Sequence, residues 1–204
     1  MLAVVNNGTH FLADLVGALD RLTLDHEVLA GDRRLPATAI ERYSGAILTG
    51  GHLHVYDPDH HPKVALDEQF LSMGEVPVLG ICLGHQLIAH HHGAEVEPLP
   101  GLNDRLETIE LLARRDPLFA GLPSRIRARL VHGDAVVTVP KPLVRLASSR
   151  TGENEAIRHV DRPIYGVQFH PELSAREGLT ILNNFAGLCG KWTSSAATEL
   201  PSTH

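Results

Sequence analysis

The chain has 204 residues, 43% of them hydrophobic, and a formal net charge of -6 at pH 7. This length suits one domain with a sizeable core, and an acidic balance without a basic stretch argues against a nucleic-acid partner. No apolar run approaches the ~18 residues of a membrane span, and the first apolar run, Leu2–Val5, is too short for a signal peptide and lacks a basic leader. Two cysteines suit a reducing compartment, so we expect a cytoplasmic protein without a membrane partner.

The first third of the chain alternates between short apolar runs and helical patterns. Strands are predicted over Leu2–Val5, Glu27–Ala30 and Ala46–Thr49. Apolar residues recur at helical spacing over 11–19, and a second helix is predicted over Lys63–Met73. This order of elements indicates an α/β sheet that is mostly parallel.

The next stretch carries a sharp strand-to-helix turn. Val78–Ile81 is a short apolar run typical of a buried parallel strand, and a helical pattern follows it. Between them, Gly80-x-Cys82-x-Gly84 has the form of a nucleophile elbow with cysteine as the nucleophile. Such a turn places Cys82 at a helix N-terminus, where the helix dipole and free N–H groups favour the thiolate. A buried, inert cysteine beside chance glycines would give the same short pattern.

Beyond Gly93 the pattern changes to short alternating runs. Alternation over so few residues, with Pro- and Gly-containing turns between the runs, indicates antiparallel strands at one edge of the sheet. The strands are predicted over 95–97, 106–112, 126–131 and 135–139, with turns at 98–101 and 121–123 and an interruption at His132-Gly133-Asp134, and are followed by strands over Val144–Ser148 and Glu155–His159.

The last predicted strand, Ile164–Phe169, ends in His170-Pro171-Glu172. A cysteine nucleophile needs a base to take its proton and a third group to orient that base. Active sites of doubly wound sheets assemble at the carboxyl ends of the strands. Cys82, His170 and Glu172 are therefore the predicted catalytic residues.

The C-terminal part begins with a capping-box pattern over 174–177, followed by a helix with an apolar face. The end of the chain is rich in serine and threonine. We assign residues 1–190 to one domain and predict a mobile tail over 191–204.

These motifs resemble the class I, triad-type glutamine amidotransferases from the first strand to about Cys189. The resemblance implies a single-domain, flavodoxin-like α/β fold whose mostly parallel central sheet is flanked by helices and extended by an antiparallel strand segment. The elbow and the His-Pro-Glu segment are shared across the family. Further blocks look most like the glutaminase subunits of GMP synthases, namely Asp116–Phe119, His132–Asp134, Ala147–Ser149 and Arg162–Glu172.

The resemblance also implies a reaction and its residues. Cys82, His170 and Glu172 would hydrolyse L-glutamine to glutamate and ammonia through a thioester. Backbone N–H groups of Gly51 and Leu83 would form the oxyanion hole, although an ordinary Gly-Gly turn has the same sequence. Substrate contacts would come from Gly50, Gln86, His132, Gly133 and Asp134. Without the resemblance, Gln86 would be interpreted as a helix-surface residue and His132-Gly133-Asp134 as a turn.

Three segments depart from the family pattern. His52 stands where a proline usually follows the oxyanion glycines. The other two are Leu102–Arg105 and Ser174–Gly178. They replace segments that, we expect, contact the synthetase in GMP synthase glutaminases. An acceptor other than XMP, of anthranilate type or from specialised metabolism, therefore stays open. Two other functions also stay open: a stand-alone hydrolase of an amide or γ-glutamyl substrate, and a catalytically idle regulatory subunit.

No Ser-Gly-Gly-x-Asp-Ser-type ATP-binding loop occurs in the sequence. ATP and Mg²⁺ would therefore belong to a separate ATP-dependent synthetase, most simply the ATP-pyrophosphatase type of GMP synthase. Histidines cluster over 52–61 and 90–92, but ligands on adjacent residues rarely point inward together. We therefore predict solvated histidines, no metal and no cofactor in this chain.

Overall fold

The computed structural model describes residues 1–74 and 76–192. Of the predicted tail, residues 193–204 lie outside the described residues. One mixed sheet contains the strands β1 (Leu2–Asn7), β2 (His26–Ala30), β3 (Gly45–Gly51), β4 (Val78–Ile81), β5 (Val96–Leu111), β6 (Arg125–Val136), β7 (Leu143–Ser148), β8 (Ala156–His159) and β9 (Ile164–Val167).

One half of the sheet is parallel, in the spatial order β2-β1-β3-β4-β9. This is the 2-1-3-4-5 order of flavodoxin-like sheets, with β9 as the fifth strand. Every residue of β4 and of β9 is buried, as expected for parallel strands covered on both faces. The predicted α/β fold is confirmed.

The other half is antiparallel and continues the sheet through β8, β7, β5 and β6. The predicted turn at 98–101 is wrong, because β5 runs through it as one strand of 16 residues. A register shift between Pro98 and Asn103 absorbs the two prolines, which have no N–H to donate to a neighbour. The predicted interruption at 132–134 is also wrong, since these residues lie within β6.

Helices pack on both faces of the sheet. The helices are α1 (Leu12–Arg21), α2 (Ala37–Ile40), α3 (Ala65–Met73), α4 (Leu83–His91) and α5 (Ala175–Lys191). Buried residues of α1 and α5 join one hydrophobic cluster, and those of α3 and α4 join another on the opposite face. Short 3-10 turns lie at His61–Val64, Pro117–Phe119 and Pro171–Leu173.

The predicted capping box at the start of α5 does not form. Ser174 precedes the helix, but its side chain makes no cap hydrogen bond. Its hydroxyl instead donates to the carbonyl of His170 at 2.5 Å and accepts from the backbone N–H of Arg129 at 3.1 Å. A motif that would stabilise a helix end thus braces the segment that carries a predicted catalytic residue.

Within residues 1–74 and 76–192, none of the helices combines the length and the apolar character needed to cross a lipid bilayer.

Glu155 is a buried acid in the antiparallel half, with a relative exposure of 1%. The Ser149 hydroxyl donates to its Oε1 at 2.6 Å, while its Oε2 has no hydrogen-bond partner among the described residues. Burial raises the pKa of this carboxyl from 4.5 to about 7. The folded protein therefore holds a proton here that the unfolded chain releases at lower pH.

Replacing Glu155 with glutamine should make stability less dependent on pH. In the wild type, the contribution of Glu155 to the free energy of unfolding is complete below pH 4.5 and declines as the pH rises toward about 7, because ionising the acid favours the unfolded chain. Between about pH 5 and pH 8, the free energy of unfolding measured in urea should fall by about 2–3 kcal/mol more in the wild type than in Glu155→Gln. Equal losses in the two proteins would contradict the prediction.

Candidate active site

The turn between β4 and α4 has a strained backbone at Cys82, with φ 52° and ψ -102°. A non-glycine residue rarely adopts a positive φ unless the surrounding structure enforces it. A Cβ added at Gly80 would lie 2.3 Å from the Gly84 carbonyl, and one at Gly84 would lie 2.3 Å from the Leu48 carbonyl oxygen. Both glycines are therefore required for the turn to close, as the elbow motif predicts.

Cys82 lies at the N-terminus of α4 with a relative exposure of 6%. Its backbone N–H donates to the Val167 carbonyl of β9 at 2.9 Å, and its thiol contacts the Val131 carbonyl of β6 at 3.5 Å. Cys82, the predicted nucleophile, is therefore held between the parallel and antiparallel halves of the sheet. Cys82 is a free thiol, as is Cys189.

His170 and Glu172 follow β9 and form a buried pair. The Nδ1 of His170 donates to Oε1 of Glu172 at 2.8 Å, and each side chain is 2% exposed. Burial by itself would lower the pKa of His170, but the Cys82 sulfur and the Glu172 carboxylate outweigh it and raise the pKa. The imidazolium form is favoured beside the thiol, although Nε2 makes no well-aligned hydrogen bond in the described residues. Such bonds often align only when substrate is bound.

Residues from three other elements hold His170 in place. The Phe11 ring packs edge-on against the imidazole with centroids 4.9 Å apart. The backbone N–H of His170 donates to the Arg129 carbonyl of β6 at 2.8 Å, and Ser174 bonds its carbonyl. Sequence reasoning missed these supports, since each is distant from His170 in sequence or belongs to another predicted motif.

A cavity of about 490 Å³ opens above Cys82 and His170. Its walls come from the loops after β1 and β3, from α4, β5 and β6, and from the segment after β9. The predicted residues Gly50, Leu83 and Glu172 do not line it. The predicted residues that line the cavity are Gly51, Cys82, Gln86, His132, Gly133, Asp134 and His170.

Asp134 is the buried acid of this cavity, and its side chain is 6% exposed. Both carboxylate oxygens have partners from the loop after β3: His54 Nδ1 lies 2.6 Å from Oδ2, and the Tyr56 hydroxyl donates to Oδ1 at 3.0 Å. Neither partner was predicted. A substrate ammonium group that reached Asp134 would compete with both of them for the carboxylate.

The side chains of His132 and Gln86 both bond the backbone of β6 at Asp134. His132 Nδ1 donates to the Asp134 carbonyl at 2.8 Å, and the Gln86 amide donates to the same oxygen at 3.0 Å. The Asn103 amide donates to Nε2 of His132 at 3.1 Å. Burial lowers the pKa of His132, so a neutral ring with one donating and one accepting nitrogen fits this network. Asn103 was expected at a partner-facing segment, but its side chain is buried.

The predicted oxyanion residues are neighbours, since a Cβ at Gly51 would lie 2.8 Å from Leu83 Cδ2. Leu83 is the first residue of α4, so its N–H has no partner within the helix. Gly50 packs on the catalytic pair, since a Cβ there would lie 3.2 Å from His170 Cε1 and 3.5 Å from Cys82 Cβ. At Gly51 a Cβ would lie 2.4 Å from the Asn7 carbonyl oxygen. His52, in place of the usual proline, packs edge-on against His10.

The sequence and structure are similar to those of known enzymes. The family model described as "Glutamine amidotransferase class-I" matches residues 3–187. The chain belongs to the class I glutamine amidotransferases. The predicted enzyme class is thereby confirmed. Proteins named as one subunit of the glutamine-hydrolyzing GMP synthase are 36% identical over 192 residues in Methanopyrus kandleri and over 195 residues in Thermococcus kodakarensis, covering 94% of this chain and 100% of each relative.

Solved structures of amidotransferases share the fold. A candidate GMP synthase subunit from Thermoplasma acidophilum superposes with a TM-score of 0.81 at 28% identity, covering 97% of both chains. A glutamine amidotransferase from Thermotoga maritima has a TM-score of 0.73 at 22% identity, covering 94% of this chain and 97% of its own. The second likeness is one of fold alone.

Replacing Cys82 with alanine should abolish amidotransferase activity while the fold persists, because the thioester cannot form. We expect glutamine hydrolysis to fall by at least about 10³-fold. A glutamine-analogue electrophile should label Cys82 and spare Cys189, since burial raises the pKa of the Cys189 thiol to about 12. Peptide mapping by mass spectrometry reads out the labelled residue.

Cys189→Ala is the matched control and should keep full activity. Label on Cys189, together with activity in Cys82→Ala, would contradict the assignment of the nucleophile.

Replacing His170 with alanine should be nearly as damaging as loss of Cys82, because triad members act as a unit. Glu172→Ala should lower kcat less, since Phe11 still packs on the imidazole and Ser174 still bonds the backbone carbonyl of His170. Steady-state kinetics of glutamate release would rank the two variants. The assignment fails if His170→Ala stays active while His52→Ala or His54→Ala loses all activity.

Proposed function

We propose that this protein is the glutaminase subunit of a two-chain GMP synthase, which hydrolyses L-glutamine and delivers the ammonia to a separate synthetase. The observation that carries the proposal is its full-length similarity to proteins named as one subunit of that enzyme. The cavity built around Cys82, His170 and Asp134 supports the glutaminase half of the reaction.

The first chemical step is attack on the side-chain amide of glutamine. The raised pKa of His170 favours transfer of the thiol proton to its ring, so that the Cys82 sulfur attacks as a thiolate. The developing oxyanion takes hydrogen bonds from the N–H groups of Gly51 and Leu83. His170 then gives its proton to the departing nitrogen, and ammonia leaves a thioester on Cys82.

The second step returns the enzyme to its starting form. His170 removes a proton from water, which attacks the thioester carbonyl and releases glutamate. Glu172 holds the imidazole in one tautomer and stabilises its cation throughout. These steps use no metal and no cofactor in this chain, and ATP and Mg²⁺ act on the acceptor in the synthetase.

Recognition of glutamine falls to the wall formed by β6. We expect the Asp134 carboxylate to bind the α-ammonium group. Gln86, His132 and Gly133, which line the cavity, would contact the rest of the substrate. Gly50 does not line the cavity and would act through its packing on His170 and Cys82. His54 and Tyr56 each contact one oxygen of Asp134 in the free protein, so glutamine has to share the carboxylate with them or displace them. The loop after β3 carries both of these residues and Gly51, so its position couples substrate binding to the oxyanion hole.

The surface around the cavity mouth suits a partner. Leu102 is 67% exposed, lines the cavity and lies in a segment that departs from the usual GMP synthase pattern. Tyr56, on the loop that holds Asp134, is 43% exposed. A synthetase that presses on these side chains would move the loop and release Asp134 for substrate. We expect the two chains to meet in the cytoplasm, where the free thiol of Cys82 stays reduced.

The isolated chain should hydrolyse glutamine slowly, and a GMP synthase ATP-pyrophosphatase subunit with ATP, Mg²⁺ and XMP should raise the rate by about 10²–10³-fold. A single oxyanion donor accounts for a change of that size. Glutamate release and GMP formation should rise together. Cys82→Ala is the matched control, because the mixture should then make GMP from added ammonium but not from glutamine.

The outcomes separate the alternatives. Stimulation by a different synthetase, with none from the ATP-pyrophosphatase, would keep the amidotransferase and reject XMP as acceptor. Full glutaminase activity in the isolated chain would reject control by a partner and favour a stand-alone hydrolase. No hydrolysis with any synthetase, although Cys82 is intact, would favour a regulatory subunit.

A further inference from the structure

A second cavity, of about 260 Å³, lies between the 3-10 turn at His61–Val64 and the helices α3 and α4. It shares no lining residue with the catalytic cavity. Its wall contains four imidazoles and two carboxylates, from His60, His61, His90, His91, Asp67 and Glu68. The reaction proposed above uses none of them.

Three of these side chains offer ligand atoms to one point. One ligand atom each from His60, His61 and Glu68 lies within 4.8 Å of the other two. His61 Nδ1 and Glu68 Oε1 are in direct contact. Bonds from zinc to nitrogen or oxygen are about 2.0–2.2 Å long, so tetrahedral ligand atoms lie roughly 3.3 Å apart. A small side-chain shift would bring the three atoms to that spacing.

His60 has the geometry of a metal-binding histidine. It is 4% exposed, and its Nδ1 lies 2.6 Å from the Asp57 carbonyl oxygen. A ligating imidazole commonly donates its second N–H to a carbonyl, which fixes the tautomer and leaves the other nitrogen free for the metal. In His60 the free nitrogen is Nε2.

The local backbone explains why adjacent histidines converge here. The sequence predicted solvated histidines, because neighbouring side chains usually diverge. His60 and His61 instead enter a tight 3-10 turn, and their ring centroids lie 4.0 Å apart with the planes tilted by 33°. Glu68, in the first turn of α3, faces the same cavity.

We propose that His60, His61 and Glu68 bind one Zn²⁺ ion. Imidazole and carboxylate ligands match the preferences of zinc, and His90, whose ring centroid is 5.5 Å from that of His60, is a candidate for the fourth ligand. The ion would join the end of the loop after β3 to α3. It would thereby tether the loop whose other end holds Asp134 through His54 and Tyr56.

The test is zinc binding by the full chain, without a histidine tag and in a Cys82→Ala background that removes the catalytic thiol. Competition with a chromophoric zinc indicator should give one Zn²⁺ per chain. His61→Ala and Glu68→Gln should each weaken binding by at least about 10–100-fold, the loss typical of disturbing even an outer-shell partner. Bound zinc should raise the melting temperature of the parent protein and leave that of both variants unchanged.

His26→Ala and Glu41→Gln, which replace the same residue types outside the cavity, are the matched controls and should bind zinc like the parent. Circular dichroism of each metal-free variant checks folding, and Glu68→Gln preserves side-chain shape. If the parent binds no zinc, the proposal is overturned and His61 and Glu68 form only an ion pair. If the parent, His61→Ala, Glu68→Gln and the two controls all bind zinc with equal affinity, the zinc lies elsewhere and the proposal is overturned too. Neither measurement depends on the proposed glutaminase reaction.

Discussion

The strained turn at Cys82 is the constraint on which the rest of the site depends. A cysteine with φ 52° is stable only where its surroundings enforce that conformation. Here the absence of side chains at Gly80 and Gly84 lets the turn close against its own helix and against β3. The turn places the sulfur at the end of the parallel sheet and leaves the first N–H groups of α4 free for an oxyanion.

The two halves of the sheet contribute different parts of the candidate active site. Parallel strands β4 and β9 lead to Cys82 and to the His170–Glu172 pair at one edge, as the 2-1-3-4-5 order requires. The antiparallel strand β6 supplies the cavity wall with Asp134 and also bonds the backbone of His170 through Arg129. The predicted catalytic residues and the proposed substrate acid are therefore joined by one continuous hydrogen-bonded sheet, which limits how far either can shift alone.

The loop after β3 connects three features of the molecule. It begins at Gly51, the predicted oxyanion glycine, continues through the two side chains that contact Asp134, and ends at the histidine cluster beside α3. A loop held at both ends has fewer positions than a free one, so contacts at either end bias the same conformational equilibrium. Its middle, where Tyr56 is 43% exposed, is the part that a second protein can reach.

The sequence alone determined the α/β fold, the elbow at Cys82, the pairing of His170 with Glu172 and the family, because these depend on short-range steric rules and on spacing along one strand. The tertiary structure decided what depends on distant segments. Strand β5 continues through its prolines because it pairs with β6. Ser174 bonds the His170 carbonyl instead of capping α5, and His54 and Tyr56 contact the Asp134 carboxylate. The local pattern for a turn was outweighed by pairing of β5 with β6 residues 29 to 36 positions away. The local pattern for a capping box was outweighed by the hydrogen bond between Ser174 and Arg129, which are 45 residues apart. No periodicity along the chain reports such partners.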